Sequence, residues 1–438
     1  MISAAPFRST PFRVFKKIAV RDHRFDLPLD HSRPESPRIE VFAREVVASK
    51  KQTDDLPWMV FFQGGPGFPA NRPMNHGGWI GEVLKTHRLL LLDQRGTGLS
   101  SRVLPQTLAK FGTAQEQADH LTHFRADNIV RDAECIRHSL LGPDRKWIGL
   151  GQSYGGFCLL TYLSFHPEGL DGVLITGGVP GIKGGAEANY RLTYQKVLEK
   201  NEAYYRHYPE DEESAREIVA HLIDHHVTLP NGGTLSPRRF QALGLMIGMD
   251  GGFEQLHYLI EKAWIEGPDG RELAHDFLMD VERAHAFDSN PIFCILHESI
   301  YAEGEATRWT SERLRSDHPE FAIRKDGRFL FTGEMIAPWM TDDFAALRPL
   351  KKCTEILATR TDWGPLYDRE QLSRNEVPVA AISYYEDMYV PIEKSRETAL
   401  GIPHFYQWVS NEWEHNGLGT DGPRIIATLL DRLESPRL

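Results

Sequence analysis

The segment G-Q-S-Y-G-G is the strongest sign of chemistry in this 438-residue sequence. It places Ser153 between Gly151 and Gly155, after the apolar run W-I-G-L and before the apolar run F-C-L-L-T-Y-L. A serine on a sharp turn from a strand to a helix is exposed for nucleophilic attack, and the glycines let the strand and the helix approach closely. The N-terminus of the helix directs N–H groups towards the position of an oxyanion. This pattern predicts Ser153 as a nucleophile.

A second glycine-rich turn could supply a hydrogen-bond donor to that oxyanion. The turn Q-G-G-P-G directly follows the apolar run that begins at Trp58. One donor in such a site is the N–H of the residue after the nucleophile, here Tyr154, and the other comes from the loop after a neighbouring strand. Gly64 or Gly65 can present that second N–H, whereas Pro66 has none. We expect Gly65 to be the donor.

A histidine and two carboxylates near the C-terminus could complete the site. His415 follows the last apolar run, which begins after His404, and Glu386 and Asp387 follow the run that begins at Val377. The carboxyl ends of parallel strands meet at one edge of a sheet, and the chain order nucleophile, acid, base is the one that this kind of turn uses. We therefore expect His415 to be the base, with Glu386 and Asp387 as competing acids.

The segment D-Q-R-G-T-G-L-S, which begins at Asp93, is a third glycine-rich stretch. A phosphate-binding loop is the alternative interpretation, but the pattern G-x-x-x-x-G-K-[ST] is absent. We expect Asp93 and Arg95 to tie loops together beneath the site rather than to take part in chemistry.

The elements that must position these groups alternate between strands and helices. Apolar runs of strand length begin at Arg38, Trp58, Arg88, Trp147 and Val173. The first run alternates polar and apolar residues, as a strand at the edge of a sheet does, whereas the later runs are continuous, as in strands covered on both faces. Helical patterns between the runs complete an α/β alternation. These helices are predicted over residues 126–141 and 154–166.

Residues 181–345 have a different texture, rich in helix formers, His, Tyr and Trp and nearly without strand-like runs. We expect them to form a mainly helical cap, inserted between two parts of an α/β core at residues 1–180 and 346–438. A helix over residues 423–433 would close the chain. The predicted fold class is therefore α/β, with a mostly parallel sheet flanked by helices and an inserted helical cap.

Composition argues against several other kinds of partner. Fifty Lys and Arg against 61 Asp and Glu give a net charge of −11, and no basic tract carries interleaved aromatics, so we expect no nucleic-acid partner. The four cysteines lie far apart and no histidines have metal-ligand spacing, which predicts free thiols and neither a metal nor another cofactor. Because no apolar signal segment and no run of 18 apolar residues are present, we expect a cytoplasmic protein without a membrane partner.

The three motifs Q-G-G-P-G, D-Q-R-G-T-G-L-S and G-Q-S-Y-G-G, in this order and at these spacings, resemble the proline iminopeptidase (prolyl aminopeptidase) group of α/β-hydrolases. The resemblance covers residues 25–180 and the C-terminal section well, and the cap in part. Gln63 stands where the group often has His, but the backbone N–H groups of this turn do its chemical work. The resemblance favours Asp387 as the acid, because Asp387 lies four residues before Pro391 as the acid of the group does before its own proline.

The resemblance implies a serine exopeptidase that releases an N-terminal residue, preferably proline, from short peptides or aminoacyl amides through an acyl-enzyme. Such an enzyme must bind a free ammonium, for which carboxylates above the nucleophile are suited. Glu298 matches the E-x-x-Y amine-binding motif of the group, and Glu334 is a second candidate.

Other activities remain open on such a scaffold, because a fold does not determine a function. A carboxylesterase or amidase acting on a small ester or amide is the main alternative. A ligand-binding protein without catalysis is a third class, against which the presence of Ser153, Asp387 and His415 argues. A haloalkane dehalogenase would need an acid at position 153 and is excluded.

Overall fold

The computed structural model describes residues 3–268 and 270–434, which form a central sheet with helices on both faces. The strands are β1 (Phe7–Ser9), β2 (Arg13–Phe15), β3 (Ile18–Pro28), β4 (Arg38–Ala48), β5 (Trp58–Phe62), β6 (Arg88–Asp93), β7 (Trp147–Gln152), β8 (Leu170–Thr176), β9 (Trp264–Gly267), β10 (Gly270–Leu273), β11 (Val379–Tyr384) and β12 (Phe405–Ser410). Ten of them form one sheet in the order β1-β3-β4-β6-β5-β7-β8-β11-β12, with β2 paired to β3. Strands β5 to β8, β11 and β12 are parallel to one another.

Helices fill the connections between these strands. The α-helices are α1 (Gly78–Val83), α2 (Pro105–Leu108), α3 (Ala114–Leu121), α4 (Ala126–Leu141), α5 (Tyr154–Phe165), α6 (Gly185–His207), α7 (Glu210–Asp224), α8 (Pro237–Gln241), α9 (Gly252–Glu261), α10 (His275–Ala284), α11 (Ile292–Ile295), α12 (Thr310–Leu314), α13 (Met340–Asp343), α14 (Lys351–Thr359), α15 (Arg369–Ser373), α16 (Ile392–Leu400), α17 (Gly417–Thr420) and α18 (Gly422–Glu434). Short 3₁₀ helices occur at Ser49–Lys51, Thr122–Phe124, Pro167–Gly169, Ala242–Gly248, Glu298–Tyr301, Arg315–Asp317, Pro319–Phe321 and Arg348–Leu350.

The continuous apolar strands are buried on both faces, as predicted. In β5, Val60 and Phe62 belong to the hydrophobic cluster that includes side chains of α4 and α5. Met59 and Phe61, which point to the opposite face, belong to the cluster that includes Ile425 of α18. Because successive side chains of a strand alternate between faces, a strand covered on both sides needs apolar residues at every position. This parallel sheet between two helical layers is the predicted α/β-hydrolase fold.

Strand β4 does not lie at the edge of the sheet, so the prediction for the run from Arg38 is wrong in this respect. It pairs with β3 on one side and with β6 on the other. The polar residues that produce its alternation face polar partners on β3 rather than solvent. Arg44 Nε donates to Asp22 Oδ1 (2.7 Å), and Arg21 Nε donates to Glu45 Oε2 (2.8 Å). The sequence analysis did not identify β3, whose many charged residues hide its strand pattern.

Between β8 and β11, the described part of the chain adds no strand to the central sheet. This segment consists of helices, turns and the hairpin β9–β10, which is antiparallel and was not predicted from the sequence. Its helices lie beside the carboxyl ends of the parallel strands, as the contacts of α6 with the loops after β11 and β12 show.

Three further features concern the cysteines, possible metal ligands and the character of the helices. All four cysteines, Cys135, Cys158, Cys294 and Cys353, are buried free thiols. Within residues 3–268 and 270–434, no three His, Cys, Asp or Glu side chains are grouped so that they could hold a metal ion. In the same residues, no helix has both the length and the apolar character that crossing a membrane requires.

The buried Glu45 gives a test of this strand arrangement. It is fully buried and accepts hydrogen bonds from Arg21, His23 and Arg88. Removing one partner from a buried ionic cluster leaves the others uncompensated, so Glu45→Ala should lower the free energy of unfolding by about 3 kcal/mol. Glu40 pairs with Arg8 at the partly exposed edge of the same ladder, and Glu40→Ala should cost less than about 1 kcal/mol. Urea unfolding followed by tryptophan fluorescence measures both; equal losses would contradict this account.

Candidate active site

Three side chains from three strand ends form one hydrogen-bonded chain. Ser153 follows β7, Asp387 lies beyond β11 and His415 beyond β12. His415 Nε2 lies 2.9 Å from Ser153 Oγ, and His415 Nδ1 lies 2.7 Å from Asp387 Oδ2. His415 and Asp387 are almost fully buried, with exposed fractions of 4% and 1%. Such a chain can move the hydroxyl proton to the imidazole while the carboxylate stabilises the resulting cation.

Ser153 lies on a sharp turn between β7 and α5. Its backbone has φ 53° and ψ −123°, a conformation that few residues other than glycine adopt. The Ser153 N–H donates to Thr176 O (2.9 Å), which ties the turn to β8. A Cβ at Gly151 would lie 2.5 Å from the carbonyl carbon of Gly155, and a Cβ at Gly155 would lie 2.0 Å from Phe62 O. The expectation that side chains at these two glycines would collide with the neighbouring elements is confirmed.

Asp387, and not Glu386, is the carboxylate that contacts His415. Its Oδ1 atom accepts the N–H groups of Tyr389 (2.8 Å) and Val390 (3.0 Å), which leaves Oδ2 for the imidazole. The side chain of Glu386 is 65% exposed and approaches a lysine on α6 instead. The choice between these two neighbouring carboxylates is therefore one of direction: one side chain points into the site and the other points out of it.

The loop of His415 is held by residues that the sequence analysis did not identify. The His415 N–H donates to Gly248 O (3.2 Å), at the end of the 3₁₀ helix Ala242–Gly248. The Tyr389 ring packs on the imidazole with 4.5 Å between ring centroids, and its hydroxyl donates to Leu245 O. The position of Tyr389, two residues after Asp387, was the only signal in the sequence that could have drawn attention to it.

The turn with Gly64 and Gly65 packs directly against the turn of Ser153. A Cβ at Gly64 would lie 2.9 Å from the Ser153 Cβ, so only a glycine allows this approach. Gly65 has φ +123°, again a glycine conformation. Tyr154 is the first residue of α5, where a helix leaves its N–H groups free. In residues 3–268 and 270–434, neither the Gly65 N–H nor the Tyr154 N–H donates to a backbone carbonyl of another loop.

Asp93 and Arg95 tie loops together beneath the site, as predicted. Asp93 accepts the N–H of Ala70 (3.1 Å) and the N–H of Leu99 (2.8 Å), and so joins two loops at the end of β6. Arg95 is buried and donates to both carboxylate oxygens of Asp132 on α4, at 2.7 and 2.6 Å. Both side chains are thus used in structural hydrogen bonds.

The Glu298 carboxylate is buried and held by the backbone. Its two oxygens accept the N–H groups of Thr310 and Ser311, each at 2.9 Å. Burial raises the pKa of Glu298, and these hydrogen bonds partly offset that rise. Glu298 lies in the same 3₁₀ turn as Tyr301, whose ring packs edge-on against Phe157 of α5 with centroids 5.7 Å apart. This contact brings the E-x-x-Y segment to the helix that begins directly after Ser153, the predicted nucleophile.

The Glu334 carboxylate is mostly buried and has a different environment. Its nearest basic neighbour is His297, whose Nε2 lies 3.6 Å from Glu334 Oε2. Burial lowers the pKa of His297 to about 3, so this imidazole is neutral at physiological pH. Burial, together with the nearby charge of Asp387, raises the pKa of Glu334 well above its usual range. The Tyr190 hydroxyl is buried without a hydrogen-bond partner in the described residues. Burial raises the pKa of Tyr190, and among the neighbouring charged groups Glu298 contributes most to this rise.

Known proteins resemble this chain in sequence over almost its whole length. The α/β-hydrolase fold family matches residues 57–217. A proline iminopeptidase of Aeromonas sobria is 48% identical over 95% of this chain and 97% of its own length. The proline iminopeptidase aneH of Aspergillus aculeatus is 36% identical over 94% and 93%. A solved proline iminopeptidase of Mycobacterium smegmatis covers 94% of this chain and 97% of its own at 14% identity, with a TM-score of 0.43. Identities of 48% and 36% over nearly complete chains show a common family, and this chain belongs to the proline iminopeptidase family of α/β-hydrolases.

Proposed function

We propose that this chain is a serine aminopeptidase that releases an N-terminal proline from short peptides and aminoacyl amides through an acyl-enzyme. The observation that carries the proposal is the hydrogen-bonded chain of Ser153, His415 and Asp387 at the edge of the sheet where the parallel strands end. The buried carboxylates of Glu298 and Glu334 support an enzyme that recognises a free ammonium. Relatives named proline iminopeptidase support proline as the residue released.

In the proposed reaction, His415 Nε2 accepts the proton of the Ser153 hydroxyl while Ser153 Oγ attacks the carbonyl carbon of the substrate. The Gly65 and Tyr154 N–H groups donate to the oxygen that becomes negative. His415 then gives its proton to the leaving nitrogen, the C–N bond breaks, and the prolyl ester of Ser153 remains. A water molecule loses a proton to His415 and attacks the carbonyl carbon of this ester, and His415 returns that proton to Ser153 Oγ as the ester bond breaks and proline leaves. Asp387 orients the imidazole and stabilises its cation throughout.

Glu334 is the better placed of the two carboxylates to receive the substrate ammonium. Both oxygens of Glu298 already accept backbone N–H groups, whereas the described residues offer Glu334 only a neutral histidine at 3.6 Å. Without substrate, burial beside Asp387 favours the protonated form of Glu334. An arriving ammonium would supply the missing positive charge and ionise the carboxylate. In this proposal Glu298 adds a second negative charge and holds in place the 3₁₀ turn that carries Tyr301.

This arrangement also accounts for cleavage after a single residue. In this proposal the carboxylates bind the ammonium one residue away from the scissile bond, and they penalise a longer chain that would bury uncharged backbone against them. We propose that residues 181–345 form the cap that carries these carboxylates, between core parts at residues 1–180 and 346–438.

Replacing the nucleophile gives the first test. Ser153→Ala should lower kcat for the 2-naphthylamide of proline by several orders of magnitude, because the covalent step is lost. The same variant should no longer react with a fluorophosphonate that labels the unmodified protein, as read by mass spectrometry. Ser164, a buried serine of α5, the helix that follows Ser153, supplies the matched control, and Ser164→Ala should keep both labelling and activity. Persistent labelling of Ser153→Ala would contradict the assignment.

The raised pKa of Glu334 predicts a pH dependence of substrate binding. Below that pKa the carboxylate is neutral, so KM for an unblocked prolyl amide should fall as the pH rises through it and the carboxylate ionises. Glu334→Gln should remove this trend and raise KM roughly tenfold to hundredfold, because a charge-assisted hydrogen bond is lost. Steady-state kinetics over a pH series measures it. An unchanged KM, or a trend that persists in the variant, would exclude Glu334 as the ammonium site.

A comparison of substrates distinguishes the peptidase from an esterase or amidase of the same fold. Glu298→Gln should raise KM for the prolyl amide far more than KM for a simple ester that lacks an amine. Among aminoacyl naphthylamides, the unmodified protein should cleave the prolyl compound best, and only when its amine is free. Equal effects of Glu298→Gln on both substrates, or cleavage of N-blocked compounds, would favour the esterase or amidase.

A further inference from the structure

One buried lysine connects the two loops that carry the acid and the base. Lys200 lies on α6 and is only 5% exposed. Its ammonium is in ion-pair contact with Glu414, the residue before His415, and lies 3.4 Å from Glu386 Oε2, the residue before Asp387. A lysine is rarely this deeply buried unless it is paired, and here both of its partners are direct chain neighbours of the candidate acid and base.

Glu414 is the partner that needs this cation. Burial raises the pKa of Glu414, and the contact with Lys200 counteracts that rise. One carboxylate oxygen, Oε2, is buried without a hydrogen-bond partner in the described part of the chain. An uncompensated carboxylate on the residue next to His415 would favour the imidazolium, which cannot accept the Ser153 proton. The lysine therefore removes a charge that would hold the base in its inactive form.

We propose that Lys200 is a positioning residue that joins the Asp387 loop to the His415 loop and cancels the charge of Glu414, the residue before His415. This inference rests on the proposed function, because it assumes that His415 is the general base. It extends that function by making a helix of the proposed cap part of the machinery that prepares the base.

The other charged groups around His415 do not supply this compensation. Among the described residues, Asp387 and Tyr389 contact the imidazole, and Tyr384 lies against Gly417 of the same loop. Glu386 precedes Asp387, Asp250 accepts the Glu414 N–H, and the charge of Glu334 and that of Asp387 act on each other. None of them is a cation. The Glu414 N–H donates to Asp250 Oδ1 (3.2 Å), so a further carboxylate lies on the same loop. Lys200 is thus the positive charge that balances a group of carboxylates.

The test is the pH dependence of Ser153 labelling by a fluorophosphonate, which needs the base but no peptide substrate. Lys200→Met should move the acidic limb of the labelling rate, the pH range in which the rate falls on acidification, to higher pH by up to roughly 1 unit, because the fraction of Glu414 that stays ionised without its cation favours the imidazolium. Glu414→Gln should move the acidic limb of the labelling rate to lower pH, because the positive charge of Lys200 is then unpaired and disfavours the imidazolium. The double variant should return close to the unmodified protein, and Lys200→Arg should resemble it.

Lys196 provides the matched control on the same helix. It lies one turn before Lys200 and pairs with Glu393 (3.2 Å), which is not a neighbour of the candidate acid or base. Lys196→Met therefore removes a lysine and an ion pair to the same part of the chain, and its labelling limb should stay in place.

The outcomes separate this inference from the proposed function. A purely structural role for Lys200 would lower labelling at every pH without moving the limb, and that result, or shifts of both single variants in the same direction, would overturn the inference while leaving the nucleophile intact. If Lys200→Met does not fold, the shifts of Glu414→Gln and Lys200→Arg decide in the same way. Absence of labelling in the unmodified protein would overturn the nucleophile and, with it, the role of Lys200.

Discussion

The common direction of β7, β11 and β12 is the constraint on which the candidate site depends. Ser153 and His415 are 262 residues apart in the chain, yet their side chains are 2.9 Å apart because the strands that precede them end at the same edge of one sheet. Parallel strands require long crossovers, and the helices of those crossovers bury both faces of the sheet. The sheet, packed between these helices, holds the strained turn at Ser153 in a backbone conformation that an isolated segment would not keep.

The segment between β8 and β11 contributes hydrogen bonds and ion pairs to the loops of the candidate site. Gly248 accepts the His415 N–H, Leu245 accepts the Tyr389 hydroxyl, and Lys200 pairs with the residues next to the acid and the base. A change in this segment would therefore alter the candidate base as well as the proposed substrate site. If the proposed function holds, specificity and catalytic competence are coupled through a few hydrogen bonds and ion pairs, which distinguishes this arrangement from a lid that only covers a finished site.

The sequence allowed prediction of those parts whose physical signal is local. Strands β5 to β8 and β11 are recognisable because burial on both faces requires continuous apolar runs, and β12 because it is rich in aromatic and β-branched residues. The turn at Ser153 is recognisable because close packing requires its glycines. Strand β3 was missed, since its charges are matched only once the fold places β4 and β2 beside it. The contacts of Lys200 could not be foreseen either, because a lysine on a helix indicates solvent exposure until the fold brings two glutamates to it.

The central claim is that a prolyl group is transferred to Ser153. The most direct measurement is rapid acid quenching of the unmodified protein during turnover of an activated proline ester, followed by proteolysis and mass spectrometry of the peptides. The account predicts one added prolyl group, carried by the peptide that contains Ser153 and formed within the first turnover. Steady turnover without any acylated Ser153, or a prolyl group attached to another residue, would contradict it.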